Sequence, residues 1–372
     1  MMSLRERSRE KGVTLIELLV ALVIGSLLAI AIFQFFLSSS QTVTNQSSTT
    51  QLFQRGRNAL AILRQSVESS GFGLPSVSDC PNGIAAYNSN QSTAVLSLTA
   101  VTASTQSSGA YSPAIGTYTV TTVSGGASFG NAPLTQITSI PSTSSQRVFL
   151  TSTNLIEDGD MFIVQIPGQA CLMAQVTNTE VNGGAIGIVH NSGRSVYNPS
   201  GGFKTLADAL YPGLSTKDFA GANFIDLGNN QFTINVFSIG DDQGSGTPTL
   251  YLTQYAANNT PPARQALARG VVDLQIEYGV GSNGAISKWM FPETYTPTVG
   301  QEILAVRIVM LVRSTRYMPN ETSPATIPVL GGRTYSVPTS GGPGCLQGNC
   351  QHYAYHLFDT VVPVRNHIWG GQ

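Results

Sequence analysis

From Val13 to Leu37 the chain runs for 25 residues in which Glu17 is the one charge, set among Leu, Ile, Val, Ala and Phe. At about 1.5 Å of rise per residue this is roughly 37 Å of helix, enough to span a bilayer. A carboxylate inside such a segment costs roughly 2.5–3.5 kcal/mol on an insertion scale, so its presence asks for a use. The stretch that follows, SSSQTVTNQSSTTQ (38–51), is polar and poor in helix propensity. Apolar positions then return every three or four residues at Leu52, Gly56, Leu60, Leu63 and Val67, with Arg55, Arg57, Arg64 and Gln65 elsewhere around the wheel. That spacing predicts an amphipathic helix with one buried stripe, resuming by about Gln51 and ending where Gly71, Gly73 and Pro75 stop it.

Beyond Gly71 the periodicity changes from helical to alternating or β-branched, divided by Gly, Asn, Ser and Pro clusters. Strands are expected at 93–101, 116–123, 147–153, 160–166, 171–178, 231–239, 249–255, 271–280 and 302–315. In the last of these, Val306, Ile308, Met310 and Val312 form a fully apolar face, alternating with Arg307, Val309, Leu311 and Arg313. The expected fold class is α+β: a long N-terminal helix, transmembrane in its first half, packed by its second half against a large β-rich domain over 71–372. No tandem repeat and no charged tail is visible.

Composition adds a compartment. Charged residues make up 10% of the 372, against about a quarter in ordinary domains, and Ser, Thr, Asn, Gln and 38 Gly take their place, as in secreted β-rich proteins. With 19 basic and 20 acidic side chains there is no electrostatic footprint for nucleic acid. Cys80, Cys171, Cys345 and Cys350 form an even, sparse set suited to two disulfides in an oxidising compartment. Spacing does not fix connectivity; the turn-like Leu-Gln-Gly-Asn between Cys345 and Cys350 could close locally, which would leave Cys80 with Cys171.

Ahead of the apolar run lie Arg5, Arg7, Arg9 and Lys11, offset by Glu6 and Glu10, and the Lys/Arg bias keeps this end cytoplasmic. A secretory signal carries its small-residue cleavage site after the apolar core. Here the small residue, Gly12, precedes it, so the apolar segment is expected to survive in the mature chain.

KGVTLIELLVALVIGSLLA resembles the class III signal of type IV pilins and pseudopilins. The resemblance implies a leader of residues 1–12, removed by a prepilin peptidase between Gly12 and Val13, methylation at Val13, and a pilin helix over 13–70 whose part 13–37 serves as membrane anchor and filament core. Glu17 becomes the fifth mature residue, the family's characteristic glutamate; Val13 departs from the more common Phe or Met. The physics agrees with this reading. Cutting after Gly12 would create an ammonium on Val13 one helical turn before Glu17 and on the same face. A carboxylate costly to bury alone becomes tolerable beside a cation, and if the amine belongs to a neighbouring subunit the pair sets the register between helices. The polar stretch 38–51 is expected to be helical in the monomer and partly melted in a packed fibre; the family often loosens it with a proline, which is absent here.

Further along, LRQSVESSGFG, EDGDMFIVQIPGQACLMAQVTN, ARGVVDLQIEYGV, EILAVRIVMLVRST and HLFDTVVPVRNHI are similar, in that order, to the PilW group of minor pilins. This implies a non-enzymatic subunit without cofactor, acting in the initiation of pilus assembly within a tip-associated complex. Its partners would be the major pilin, other minor pilins, the prepilin peptidase and the inner membrane. The outer domain would be periplasmic first and on the pilus or cell surface later. The alternatives are a J-like pseudopilin of a type II secretion system and a membrane-anchored binding protein or adhesin.

Four motifs invite other chemistry. GASFG (126–130) fits the hydrolase elbow around Ser128, yet a proline and no helix follow. GVGSNG (279–284) fits a dinucleotide fingerprint, but a strand-like AISKWMF follows, so a hairpin is expected. Cys345, Cys350, His352 and His356 are zinc-type ligands within twelve residues, without the separation between pairs that zinc fingers keep. Glu157 to Asp160, and Asp241 with Asp242, could bind calcium weakly but lack the loop spacing of a known site and read as turn carboxylates. His190 and His367 have no partner pattern and are expected at the surface or on strands.

Overall fold

The computed structural model describes residues 14–75, 80–89, 95–106, 116–125, 135–143, 146–153, 156–182, 185–229, 232–242, 244–257, 263–296 and 301–364. One long helix comes first, α1 (Leu15–Glu68), followed by β1 (Ile84–Tyr87), β2 (Val95–Leu98), β3 (Val101–Thr105), β4 (Tyr118–Ser124), β5 (Thr135–Ser139), β6 (Arg147–Leu150), β7 (Met161–Ile166), β8 (Ala170–Gln175), β9 (Asn178–Asn182) and β10 (Ala185–Val189). A short helix α2 (Phe203–Leu210) leads to β11 (Asn223–Gly228), β12 (Thr233–Asp241), β13 (Pro248–Ala256), β14 (Ala263–Arg269), β15 (Val271–Ser282) and β16 (Ala285–Met290). The chain closes with β17 (Glu302–Arg313), β18 (Thr326–Pro328), β19 (Thr334–Ser336) and β20 (Tyr355–Pro363). Contacts divide the chain into two compact units, one up to Gln51 and one from Leu52 onward.

In the first unit the apolar side chains from Leu15 to Leu37 are exposed. Among the described residues α1 is the one helix long and apolar enough to cross a membrane. The polar stretch does not interrupt it. Thr42, Thr44, Thr49 and Thr50 donate their hydroxyls to the carbonyls of Ser38, Ser40, Asn45 and Gln46 at 2.7–3.0 Å. Each hydroxyl is thus satisfied by the carbonyl one turn back, which lets a run of poor helix formers stay helical.

In the second unit α1 presents the expected stripe, with one exchange of residue. Leu52, Gly56, Ala59, Leu63 and Val67 are buried, and Leu60 is only partly so. These side chains share a core with β15, β17 and β20, through Leu274, Ile276, Val306, Ile308, Met310 and Phe358 among others. Complete burial of a residue such as Leu63 contributes about 1.5–3 kcal/mol. The helix stops at Glu68, and Gly71 and Gly73 follow with positive φ of 79° and 75°, a conformation glycine adopts without penalty.

The sheet against which α1 packs has the order β16-β15-β17-β20, and a five-stranded sheet β14-β13-β12-β4-β3 stands with it in the same core. β15 and β16 form the hairpin expected at GVGSNG: Ser282 pairs with Ala285, and Asn283 and Gly284 turn with φ of 50° and 73°. Positive φ at both central residues is the hairpin turn whose twist matches the strands. β17 is buried on both faces over most of its length, so its second face, Val309, Leu311 and Arg313, is interior as well.

A nine-stranded sheet, β2-β1-β8-β7-β11-β5-β6-β10-β9, carries a second core. α2 packs on it through Phe203, Leu206 and Ala207. Sequence periodicity beyond Gly71 predicted no helix; eight residues with three buried positions are too short to stand out. The expected strand 171–178 is divided into β8 and β9 at Val176 and Thr177, whose backbone N–H groups donate to the carbonyls of Asp160 and Val189. Two disulfides are present. Cys80–Cys171 joins the segment ahead of β1 to β8, where the two strands meet in parallel at Ala85 and Leu172. Cys345–Cys350 closes a short loop after β19.

Candidate functional site

Glu17 occupies the third position of α1 and completes its N-terminus. The backbone N–H and the hydroxyl of Thr14 both donate to Glu17 Oε2 at 3.2 Å, and the Glu17 N–H donates to Thr14 Oγ1 at 3.4 Å. This reciprocal pair is a capping box, which satisfies otherwise orphaned donors of the first turn. The positive end of the helix dipole also favours a carboxylate there. The Thr-x-x-Glu spacing at 14–17 is the sequence signal for this cap. Glu17 Oε1 has no partner among the described residues, so one carboxylate oxygen serves the helix and the other faces outward. Gly12 and Val13 lie outside the described residues.

The other candidates are distributed through the second unit. Cys345 and Cys350 are bonded to each other, which removes two thiolates from the zinc set. His352 Nδ1 lies 2.7 Å from the Glu321 carbonyl, and His356 packs its ring on Phe53 and Phe358, with centroids 4.4 and 4.8 Å away. Asp160 accepts the backbone N–H of Glu157 at 2.6 Å, and Asp242 pairs with Arg269 at 2.9 Å. His190 is not at the surface. It follows β10 directly, is 1% exposed, and its ring lies 4.5 Å from that of Phe203. Neither β10, which it follows, nor α2, which supplies Phe203, is among the elements expected from the sequence. Burial pushes its pKa down to about 4, its own backbone pulling the other way. Ser128 and His367 lie outside the described residues.

Sequence spacing gave no sign of a polar network joining β4, β15, the turn 292–294 and the segment before β19. Arg333 donates to the Tyr118 hydroxyl at 2.9 Å and to Gln275 Oε1 at 3.1 Å, contacts Glu293, and stacks at 3.7 Å over the Phe291 ring. Tyr118 also bonds to Glu293. Gln275 Nε2 donates to Asp273 Oδ1 at 2.9 Å, and burial raises the Asp273 carboxyl to about 6. The members are separated by as much as 215 residues, and no local pattern can announce such a cluster. It holds segments together through these hydrogen bonds, although Asp273 Oδ2 is buried without a partner among the described residues. A cavity of about 790 Å³ is lined in part by Leu98, Val101, Tyr278, Tyr295, Glu302 and Ile303, and Glu302 is the one charged residue among its described walls. Neither the network nor the cavity sets a nucleophile beside a base.

The chemical resource of the chain is therefore its first helix. Residues 7–33 match the prokaryotic N-terminal methylation motif, and residues 236–366 match the family of type IV pilus-assembly protein W, PilW. No curated protein and no solved structure matches the chain. The second match covers β13 to β20 and most of β12, and so includes the four-stranded sheet on which α1 packs. With a prepilin-type motif at its start and a PilW match in its C-terminal region, the chain is similar to type IV pilins of PilW-like kind.

Proposed function

We propose that this protein is a minor pilin of a type IV pilus that takes part in the initiation of assembly and in a tip-associated complex of minor pilins. In this reading a prepilin peptidase cuts between Gly12 and Val13, Val13 is methylated, and the apolar part of α1 holds the protein in the inner membrane until it passes into the filament. The β-rich unit then faces the periplasm and later the cell surface. The observation that carries the reading is Glu17. It is one carboxylate in an exposed apolar helix, bonded by one oxygen to Thr14 and presenting the other at the helix end. A neighbour's ammonium meeting that second oxygen would offset the cost of burying the acid. The capping contacts would hold the carboxylate in one orientation beforehand.

Intact-mass analysis of protein recovered from membranes and from sheared pili tests the processing. The expected mass begins at Val13 and includes one methyl group; a chain that still begins at Met1 overturns the reading. Glu17→Leu tests the role of the acid. Processing and membrane insertion are expected to persist while incorporation into pili falls at least tenfold, and incorporation equal to the parent removes the proposal. Deletion separates the pilus from a type II secretion system, since loss of surface pili with intact protein secretion is expected.

A further inference from the structure

Arg313, the last residue of β17, is 1% exposed, and its guanidinium is held without a carboxylate among the described residues. Nη1 lies 3.1 Å from Cys350 Sγ and also contacts Cys345 Sγ. Nη2 donates to the carbonyls of Pro343 and Gly344 at 3.3 Å, and the Tyr353 ring lies 4.6 Å from the guanidinium carbon. The other titratable groups around the loop are three tyrosines and a histidine: Tyr353 accepts the Leu346 N–H at 2.9 Å, Tyr355 donates to the Cys350 carbonyl at 3.1 Å with Tyr335 packed beside it, and His352, two residues after Cys350, is engaged by the Glu321 carbonyl and the Tyr317 ring. A permanent cation is thus set against a disulfide. The cation has no function in the pilin helix, and an arginine buried at a strand end is costly unless something there needs it.

We propose that Cys345–Cys350 is an exchangeable disulfide, opened and reclosed by a dithiol of the oxidoreductase or small-molecule class, with Arg313 stabilising the thiolate released. Access sets the direction of attack. Cys350 is 1% exposed, whereas Cys345 is half-buried and neighbours Leu346, which is 54% exposed. The incoming thiolate attacks Cys345 Sγ, the bond between the two cysteines breaks, and Cys350 leaves as a thiolate beside Nη1. The reagent's second thiol then displaces Cys345. The reagent is oxidised to its own disulfide, and the protein gains two electrons and two protons as a pair of cysteines. A lower leaving-group pKa speeds the first step, and a neighbouring guanidinium lowers it. Backbone bonds from Gly342 N to the Gly348 carbonyl and from Cys350 N to the Pro338 carbonyl, both 2.8 Å, do not pass through the disulfide. They keep the loop in place so that the bond can reclose. Cys80–Cys171 is less accessible: Cys80 is 3% exposed, on the wall of the cavity described above, and Cys171 is 0% exposed in an apolar cluster.

The test is native reduction of the full chain in detergent by graded dithiothreitol, followed by alkylation and peptide mass mapping. Cys345 and Cys350 are expected to label at reductant concentrations that leave Cys80 and Cys171 unlabelled and the far-UV circular dichroism unchanged. Opening of both disulfides together, or opening only with unfolding, overturns the proposal. Arg313→Met is expected to move the midpoint for Cys345–Cys350 at least tenfold toward stronger reductant, about 30 mV for a two-electron couple; an unmoved midpoint in folded protein also overturns it. Should that variant fail to fold, Cys345→Ser leaves Cys350 as the sole free thiol. Its thiolate absorbance at 240 nm is expected to titrate below the ordinary value of about 8.5. Titration at or above that value refutes the role given to Arg313.

Discussion

At the scale of single residues, Glu17 and His190 are each a titratable group in apolar surroundings, the first at the exposed start of α1 and the second 1% exposed beside Phe203. Glu17 was legible as an anomaly because hydrocarbon makes any charge expensive, and its capping role was legible too from Thr14 three residues before it. The burial of His190 was not, because it follows β10 and packs on Phe203 of α2, and the sequence pattern announced neither element. Its position makes a pH prediction. The folded state holds the imidazole neutral down to about pH 4, whereas the unfolded chain protonates it near 6.5. The unfolded state therefore binds more protons between those values. The stability contributed by keeping His190 neutral is complete above about pH 6.5 and is lost as pH falls toward 4, by roughly 3 kcal/mol at the lower end. His190→Leu keeps an apolar side chain beside Phe203 and removes the titration. Thermal unfolding from pH 8 to 4.5 is expected to show the two proteins within about 1.5 kcal/mol at pH 8, with the parent losing stability faster below pH 6. Parallel curves would show that His190 does not titrate in that window. Asp226 and Asp273, whose carboxyls burial raises to about 6, pull the opposite way in both proteins and cancel in the comparison.

Elements were easier to foresee than their lengths. The stripe from Leu52 to Val67 identified the buried face of α1, with Ala59 buried in place of Leu60. At Gly56 an added methyl would overlap the Phe358 ring, so the glycine is there for approach and not for flexibility. The continuous helix through 38–51 was harder to read, since propensity scales count Ser and Thr as poor formers and omit the hydroxyl bonds back to the preceding turn. α2 escaped because its three buried positions fit within two turns. The close approach at Gly56 can be measured. Alanine in a helix interior gains about 0.8–1 kcal/mol over glycine, but overpacking a filled core costs about 1–3 kcal/mol. Gly56→Ala is therefore expected to range from near neutral to about 2 kcal/mol less stable in urea unfolding, and Gly56→Leu to be clearly less stable than either. A stabilised Gly56→Leu protein would mean that Phe358 yields freely and that the helix is not seated as described.

At the scale of the whole molecule, the two disulfides constrain very different amounts of chain, and that difference bears on which one is free to exchange. Cys80 and Cys171 are 91 residues apart in sequence, and Cys345 and Cys350 are 5 apart. In the chain-entropy account, closing the long loop removes about 4–5 kcal/mol of unfolded-state entropy, while the short one removes about 2 kcal/mol. The long bridge also lies where local structure is thinnest. β1 joins β8 through the single parallel pair Ala85–Leu172, and neighbouring support comes from the Asn82 side-chain amide donating to the Leu210 carbonyl at 2.8 Å and from Tyr211 bonding to the Gly83 carbonyl. Without the bridge, β1 and β2 would be held at the sheet edge by these contacts and by a share of the apolar cluster around Ile84 and Met173. Replacing Cys80 and Cys171 by serine is thus expected to cost the second unit about 4–5 kcal/mol or more and to release the segment 80–98 first, visible as early loss of amide-exchange protection over β1 and β2. The same replacement at Cys345 and Cys350 is expected to cost about 2 kcal/mol and to leave that protection intact. If the two double variants proved equally destabilised, the long bridge would not be the staple of this fold, and the division between a structural and an exchangeable disulfide would lose its thermodynamic ground.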